Sequence, residues 1–330
     1  MIDKSLIIFL AIFLFDFAQA SFGDRLRLFQ YFFIDCVRNN CSEPNLLTQF
    51  ESRQPIYLKL FGWDCQSECQ LQAQWQTIDR LQNDENVHSV PQFYGKWTFY
   101  RLYGIQEPAS FIFSIGNLAT NLYCWKDYRI FGEYSNDPFY NLWRIQAFIS
   151  MNAWFWSMVF HARETPLTEK LDYFSAYLIV IYLLYTITIK MITEMFDLKV
   201  KKIQISLAIP FIGFYIFHLI RMYHRFDYGY NMKINIMTGI TSTILWLVWC
   251  FINRFHRKHI RKCFLSLAFV NICLVLELFD FAPIFYTFDA HSIWHFATAF
   301  FPFFWYSFLK DEAIFYLVQT SDKDAKEKLL

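Results

Sequence analysis

Glycine is scarce in this 330-residue chain, at nine residues, and no glycine-rich phosphate loop is present. That removes the nucleotide-binding classes built on such a loop. No segment repeats itself, which excludes solenoid and propeller architectures. An excess of charge is missing as well. Thirty basic residues against 29 acidic ones leave a net +1, so bulk electrostatics recruit neither nucleic acid nor an acidic partner. What is abundant is apolar: 55% of residues are hydrophobic and 22% aromatic, with 40 Phe and 20 Tyr. Such a composition is unlike that of an ordinary soluble domain and reads as an integral membrane protein.

Lys4, the apolar run Leu6 to Phe15 and Ala18-Gln19-Ala20 are the three parts of a secretory signal peptide, residues 1–20, cut after Ala20. Asp16 keeps the run too short to span a bilayer. Residues 21–106 are polar and form a luminal domain carrying Cys36, Cys41, Cys65 and Cys69. An oxidising compartment makes two disulfides of these four, with three pairings open. Zinc is the alternative, disfavoured because no histidine lies near them. Asn40-Cys41-Ser42 is a glycosylation sequon. Seven apolar stretches follow, at about 109–125, 142–161, 173–196, 203–223, 230–252, 263–286 and 290–309. They predict an all-α membrane protein, a seven-helix transmembrane bundle over 107–310 behind a disulfide-containing luminal domain.

A luminal amino terminus puts Lys126 and Arg129, then Lys199, Lys201 and Lys202, then Arg254, Arg257, Lys258, Arg261 and Lys262 on the cytosolic side. The luminal connections hold fewer basic residues, so the positive-inside rule reaches the same topology independently. His256 and His259 fall in the last basic cytosolic loop, far from any site. Cys124, Cys250, Cys263 and Cys273 read as buried free thiols. The tail, 311–330, is charged and cytosolic. Lys326 and Lys328 stand fifth and third from its end, like a dilysine retrieval signal for the endoplasmic reticulum that a coat complex reads.

The chemistry centres on Asp289-Ala290-His291-Ser292-Ile293-Trp294-His295. Histidines four apart put both imidazoles on one helix face, as two ligands of one metal require, and in a membrane segment they are costly without a partner. His161 closes the second stretch on the same luminal side. Three histidines binding zinc, with the fourth position open for water, are the pattern of a catalytic site. Asp172, early in the third helix behind a Thr165-Pro166 cap, is the expected general base and later acid. Ser157, one turn before His161, could bond the water, the developing oxyanion or only its own helix backbone. Asp280 and Asp289 could orient the ring nitrogens. A Ser157–His161–Asp172 hydrolase triad is the rival, but it leaves His291 and His295 without a task. His88, His218 and His224 read as structural rather than substrate contacts.

Serine, histidine four on, aspartate eleven further and a terminal His-x-x-x-His resemble the seven-span membrane hydrolases that include alkaline ceramidases and adiponectin-receptor-like proteins. Ser52-Arg53-Gln54-Pro55-Ile56-Tyr57, Val90-Pro91-Gln92-Phe93, Gly95-Lys96-Trp97, Gln106-Glu107-Pro108-Ala109-Ser110, Asn152-Ala153-Trp154-Phe155-Trp156-Ser157, Leu167-Thr168-Glu169-Lys170, Arg225-Phe226-Asp227-Tyr228-Gly229-Tyr230-Asn231 and Asp289-Ala290-His291 narrow the resemblance to the post-GPI attachment to proteins factor 3 family. It implies a zinc-dependent phospholipase of the endoplasmic reticulum or Golgi membrane. Such an enzyme removes the sn-2 acyl chain from the phosphatidylinositol of GPI-anchored proteins and leaves a lyso form. His161, His291 and His295 would be its ligands, with Ser157 and Asp172 as their companions. Two luminal cysteines usual in that family, one between the equivalents of Cys36 and Cys41 and one shortly after Cys69, are absent, which fits the loss of one disulfide. A ceramidase-type amide hydrolase, and a non-catalytic membrane chaperone or receptor for GPI-anchored cargo, are the alternatives.

Overall fold

The computed structural model of the chain describes residues 22–83, 90–130 and 137–327. The expected signal peptide, His88 and Lys328 of the dilysine lie outside the described residues. Among those described, the backbone is helical, with isolated β-bridges and no strand. It divides into two compact units: Met1–Phe111 with His161–Glu164 and Asp280–Ala290, and Ile112–Phe160 with Thr165–Phe279 and His291–Leu330.

The first unit holds α1 (Arg27–Asn40), α2 (Pro44–Arg53), α3 (Ile56–Leu60) and α4 (Cys65–Gln82). Its core is Phe29, Ala73, Ile78 and Phe93. Cys36 meets Cys69 and Cys41 meets Cys65 at disulfide distance, with Cα separations of 5.5 and 5.9 Å. The later cysteine of α1's end thus meets the earlier one of α4, the pairing that two antiparallel helices allow. The sulfurs of Cys41, Cys65 and Cys69 also crowd together, and this pairing accounts for it without a metal. Gly104 turns the chain at φ +90, and a Cβ there would come within 2.8 Å of the Phe61 ring. Its carbonyl accepts from Trp63 Nε1 at 2.7 Å, and the Trp63 ring lies between the guanidinium groups of Arg101 and Arg163, 4.3 and 3.7 Å from its centre.

Asp64 caps α4, accepting from Ser67 N at 2.7 Å. Burial works to raise its carboxyl, but the Ser67 hydrogen bonds and the Arg163 charge prevail and hold it below its ordinary value. Asp64→Ala should cost about 0.5–2 kcal/mol, read by thermal unfolding of the full chain. Since the folded pKa is the lower one, this contribution is complete above the unfolded value and is lost as pH falls through the folded one.

The second unit contains most of α5 (Pro108–Ile130) and α6 (Tyr140–Ala162), then α7 (Pro166–Phe196), α8 (Val200–His224), α9 (Tyr228–Asn253), α10 (Ile260–Leu278), α11 (Ala290–Thr298) and α12 (Phe301–Glu327). The Thr165 cap is present: Thr165 and Thr168 close a capping box and Pro166 takes the first helical position. α7, α8 and α9 are long and apolar enough to cross a membrane. Ile205, Ile209, Ile212 and Ile220 of α8 stand exposed, as lipid-facing side chains would. Trp143, Trp246, Trp249 and Phe308 are fully buried and pack the core with Trp305. Cys124, Cys250, Cys263 and Cys273 are buried free thiols.

Three sequence boundaries move. The sixth stretch ends at Leu278, not 286, because Asp280–Ala290 turns back into the first unit, where Tyr286 packs against Trp75 and Tyr100. The seventh stretch is broken after Thr298, where Pro302 lacks the N–H to bond that residue's carbonyl and its ring would clash with it. The helix that follows runs through the expected boundary at residue 311 to Glu327. Glu312, in the stretch read as a charged cytosolic tail, is fully buried. Arg257, placed in the basic cytosolic loop, is buried against it, and half-buried His259 pairs with it too. Hydropathy scores a buried ion pair as if it were a surface one.

Candidate metal and hydrolytic site

α11 carries His291 and His295 on one face, one turn apart, with their Nε2 atoms 2.9 Å from each other. The His295 ring is buried against Trp154 and Trp294. Two residues of α5 reach it. Ser114 Oγ lies 3.4 Å from His295 Nδ1, and Asn117 Nδ2 donates to the His295 carbonyl at 2.6 Å. Ser157 Oγ is 3.2 Å from Ser114 Oγ, so Ser114 links the α6 serine to the histidine. The Ser157 hydroxyl therefore faces a side chain rather than only its own helix.

His161 is the penultimate residue of α6 and belongs to the first unit. Its Nδ1 stands 2.7 Å from Glu107 Oε2, with both side chains buried. That pair engages Nδ1 of the ring. One ring nitrogen from each of His161, His291 and His295 lies within 4.8 Å of the others. Two imidazoles sharing a tetrahedral zinc at about 2.0–2.1 Å have nitrogens roughly 3.3 Å apart, so this donor set fits the ion after small adjustments.

The other expected residues are placed as follows. Asp172 is half-buried in the second turn of α7 and is not one of the three converging donors. Asp289 directly precedes α11. Asp280 accepts from Trp97 Nε1 at 2.5 Å and Gln92 Nε2 at 2.7 Å, so both of its oxygens serve the first unit. The buried ring of His218 stacks on Tyr230 and lies tilted against Tyr177, and His224 is exposed at the end of α8. Glu107, Ser114 and Asn117 were not singled out by sequence, although a signal was there. With Asn121 they recur at spacings of seven, three and four, a buried polar stripe along one face of an otherwise apolar helix.

Known proteins bear on this arrangement. A model of the Per1-like family matches residues 55–313. The chain is 37% identical over 306 residues to a human protein named GPI-specific phospholipase A2-like PGAP3, covering 93% of each. It is 37% identical to the Xenopus tropicalis protein of that name, covering 94% of this chain and 96% of the relative. To the Drosophila melanogaster protein named post-GPI attachment to proteins factor 3 it is 38% identical, covering 84% and 85%. No solved structure matches.

Proposed function

The chain belongs to the Per1-like family, and from that premise we propose that it is a zinc-dependent hydrolase of GPI-anchor lipid, cleaving the sn-2 acyl ester of the phosphatidylinositol. The observation that carries the reading is the convergence of the ring nitrogens of His161, His291 and His295, with Ser114 and Ser157 beside His295. A zinc ion held there supplies a Lewis acid that acidifies water and polarises an ester carbonyl. The chain's own groups do the rest. Asp172 takes a proton from the attacking water and returns it to the leaving alcohol. The Ser157 hydroxyl, held by Ser114, donates to the oxygen on which negative charge develops. The half-buried rings of Trp154 and Trp294 beside His295 limit access of bulk water and strengthen both interactions.

The same reading makes the protein a seven-span enzyme of the secretory pathway with a luminal amino terminus, its site open to lipid in the luminal leaflet. Purified protein supplied with acyl-labelled GPI lipid, or with ceramide, discriminates the alternatives. Fatty acid released from GPI lipid, stopped by a zinc chelator and restored by zinc, is the expected result. Release from ceramide alone would make it an amide hydrolase. A folded protein that binds GPI-anchored cargo and hydrolyses neither would be a chaperone or receptor.

A further inference from the structure

The carboxylate beside His161 has no role in the chemistry set out above, and its placement is too well determined to be incidental. Glu107 precedes the proline that starts α5. The N–H of Gln106 donates to the Ala162 carbonyl at 2.9 Å, and that of Glu107 to the His161 carbonyl at 3.0 Å. These bonds satisfy two carbonyls that the end of α6 would otherwise leave without partners. They also fix the Glu107 backbone directly beside the ligand it touches. Gln106 adds a reciprocal pair with Glu164, its Nε2 donating to Glu164 Oε2 at 3.1 Å and its Oε1 accepting from Glu164 N at 3.0 Å. The junction is therefore closed without the Glu107 side chain, which is spent on the imidazole.

We propose that Glu107 is the positioning residue of the histidine centre, accepting the His161 Nδ1 proton so that the ring is held in one tautomer with Nε2 as its donor atom. The inference rests on the zinc reading above and deepens it. A separation of 2.7 Å between buried partners is that of a charge-assisted hydrogen bond. A carboxylate in that position fixes ring rotation and raises the basicity of the opposite nitrogen. At His161 the partner is a carboxylate, 2.7 Å from Nδ1.

The test compares wild type, E107Q and E107A, each crossed with H161A, by zinc retention against a chelator and by the visible absorption of the Co(II)-substituted protein. Size exclusion and circular dichroism report folding. Zinc affinity should fall about 10- to 100-fold in E107A. It should fall less in E107Q, whose amide oxygen still accepts the proton but carries no charge. The Co(II) bands should shift in both variants. In the H161A background neither change should weaken metal binding further. Wild-type affinity and spectrum in E107A, or an undiminished effect of E107Q in the H161A background, would overturn the role. Should E107A not accumulate, E107Q and its cross decide alone. A wild type that holds no zinc sinks the reading of the centre itself, whereas a variant as replete as wild type sinks only the part given to Glu107.

Discussion

His291→Ala should leave the protein folded, empty of zinc and at least about 10³-fold slower in releasing fatty acid from GPI lipid. The magnitude follows from what is removed. Deleting a single oxyanion donor already costs about 10²–10³ in turnover, and a lost metal takes both the water activation and the carbonyl polarisation with it. His291 is half-buried in the first turn of α11, so its side chain contributes little to the core. Metal analysis and activity on the same sample check the prediction. Unchanged zinc in H291A would show that the 2.9 Å pair is not a ligand pair. Ser114→Ala, by contrast, should retain zinc and lose activity by a smaller factor, because it removes the link between Ser157 and His295 while leaving all three imidazoles in place.

Glu312→Ala is expected to be the most destabilising single change in the second unit, by about 3–5 kcal/mol, enough to prevent accumulation of the protein. Glu312 is fully buried on α12 and accepts from Lys190 Nζ of α7 at 2.6 Å and from Arg257 of the α9–α10 connection, with His259 Nε2 at 2.5 Å. Glu194 closes the group, 2.9 Å from Lys190 and 2.7 Å from Arg257, and also accepts from Tyr316 and Trp249. The cluster is a clasp on three elements of the bundle in which two cations answer two carboxylates. Alanine at 312 leaves a buried lysine and arginine with one carboxylate between them, and uncompensated buried charge is what makes such losses large. The neighbouring Asp311 pairs with Lys262 at the surface, so D311A should stay within about 0.5 kcal/mol of wild type. Thermal unfolding of the two variants in one detergent separates buried from exposed charge. Equal stabilities would mean that the cluster is solvated after all.

Much of the site is legible in the amino-acid sequence. The pair His291 and His295 stands out because two imidazoles one turn apart in an apolar segment are expensive, and His161 joins them through topology alone. Glu107 escapes for an instructive reason. It lies 54 positions from His161, and nothing local requires a glutamate before Pro108; only the backbone bonds from Gln106 and Glu107 to the end of α6 bring the two together. The cysteines divide in the same way. Four in a segment read as luminal lead to the expectation of two disulfides, whereas choosing Cys36–Cys69 and Cys41–Cys65 needs the direction in which α4 returns past α1.

Hydropathy and helical period are short-range quantities, summed over a turn or over about 20 residues, and they suffice for helix, apolar face and the four-residue spacing of ligands. They determined the all-helical class, the apolar helices and the histidine pair. Which polar group answers which across 50 or 180 residues is decided by chain return, through backbone bonds and burial that no window contains. That is why the tertiary structure alone supplied Glu107 to His161, Ser114 to both Ser157 and His295, and Glu312 to Lys190.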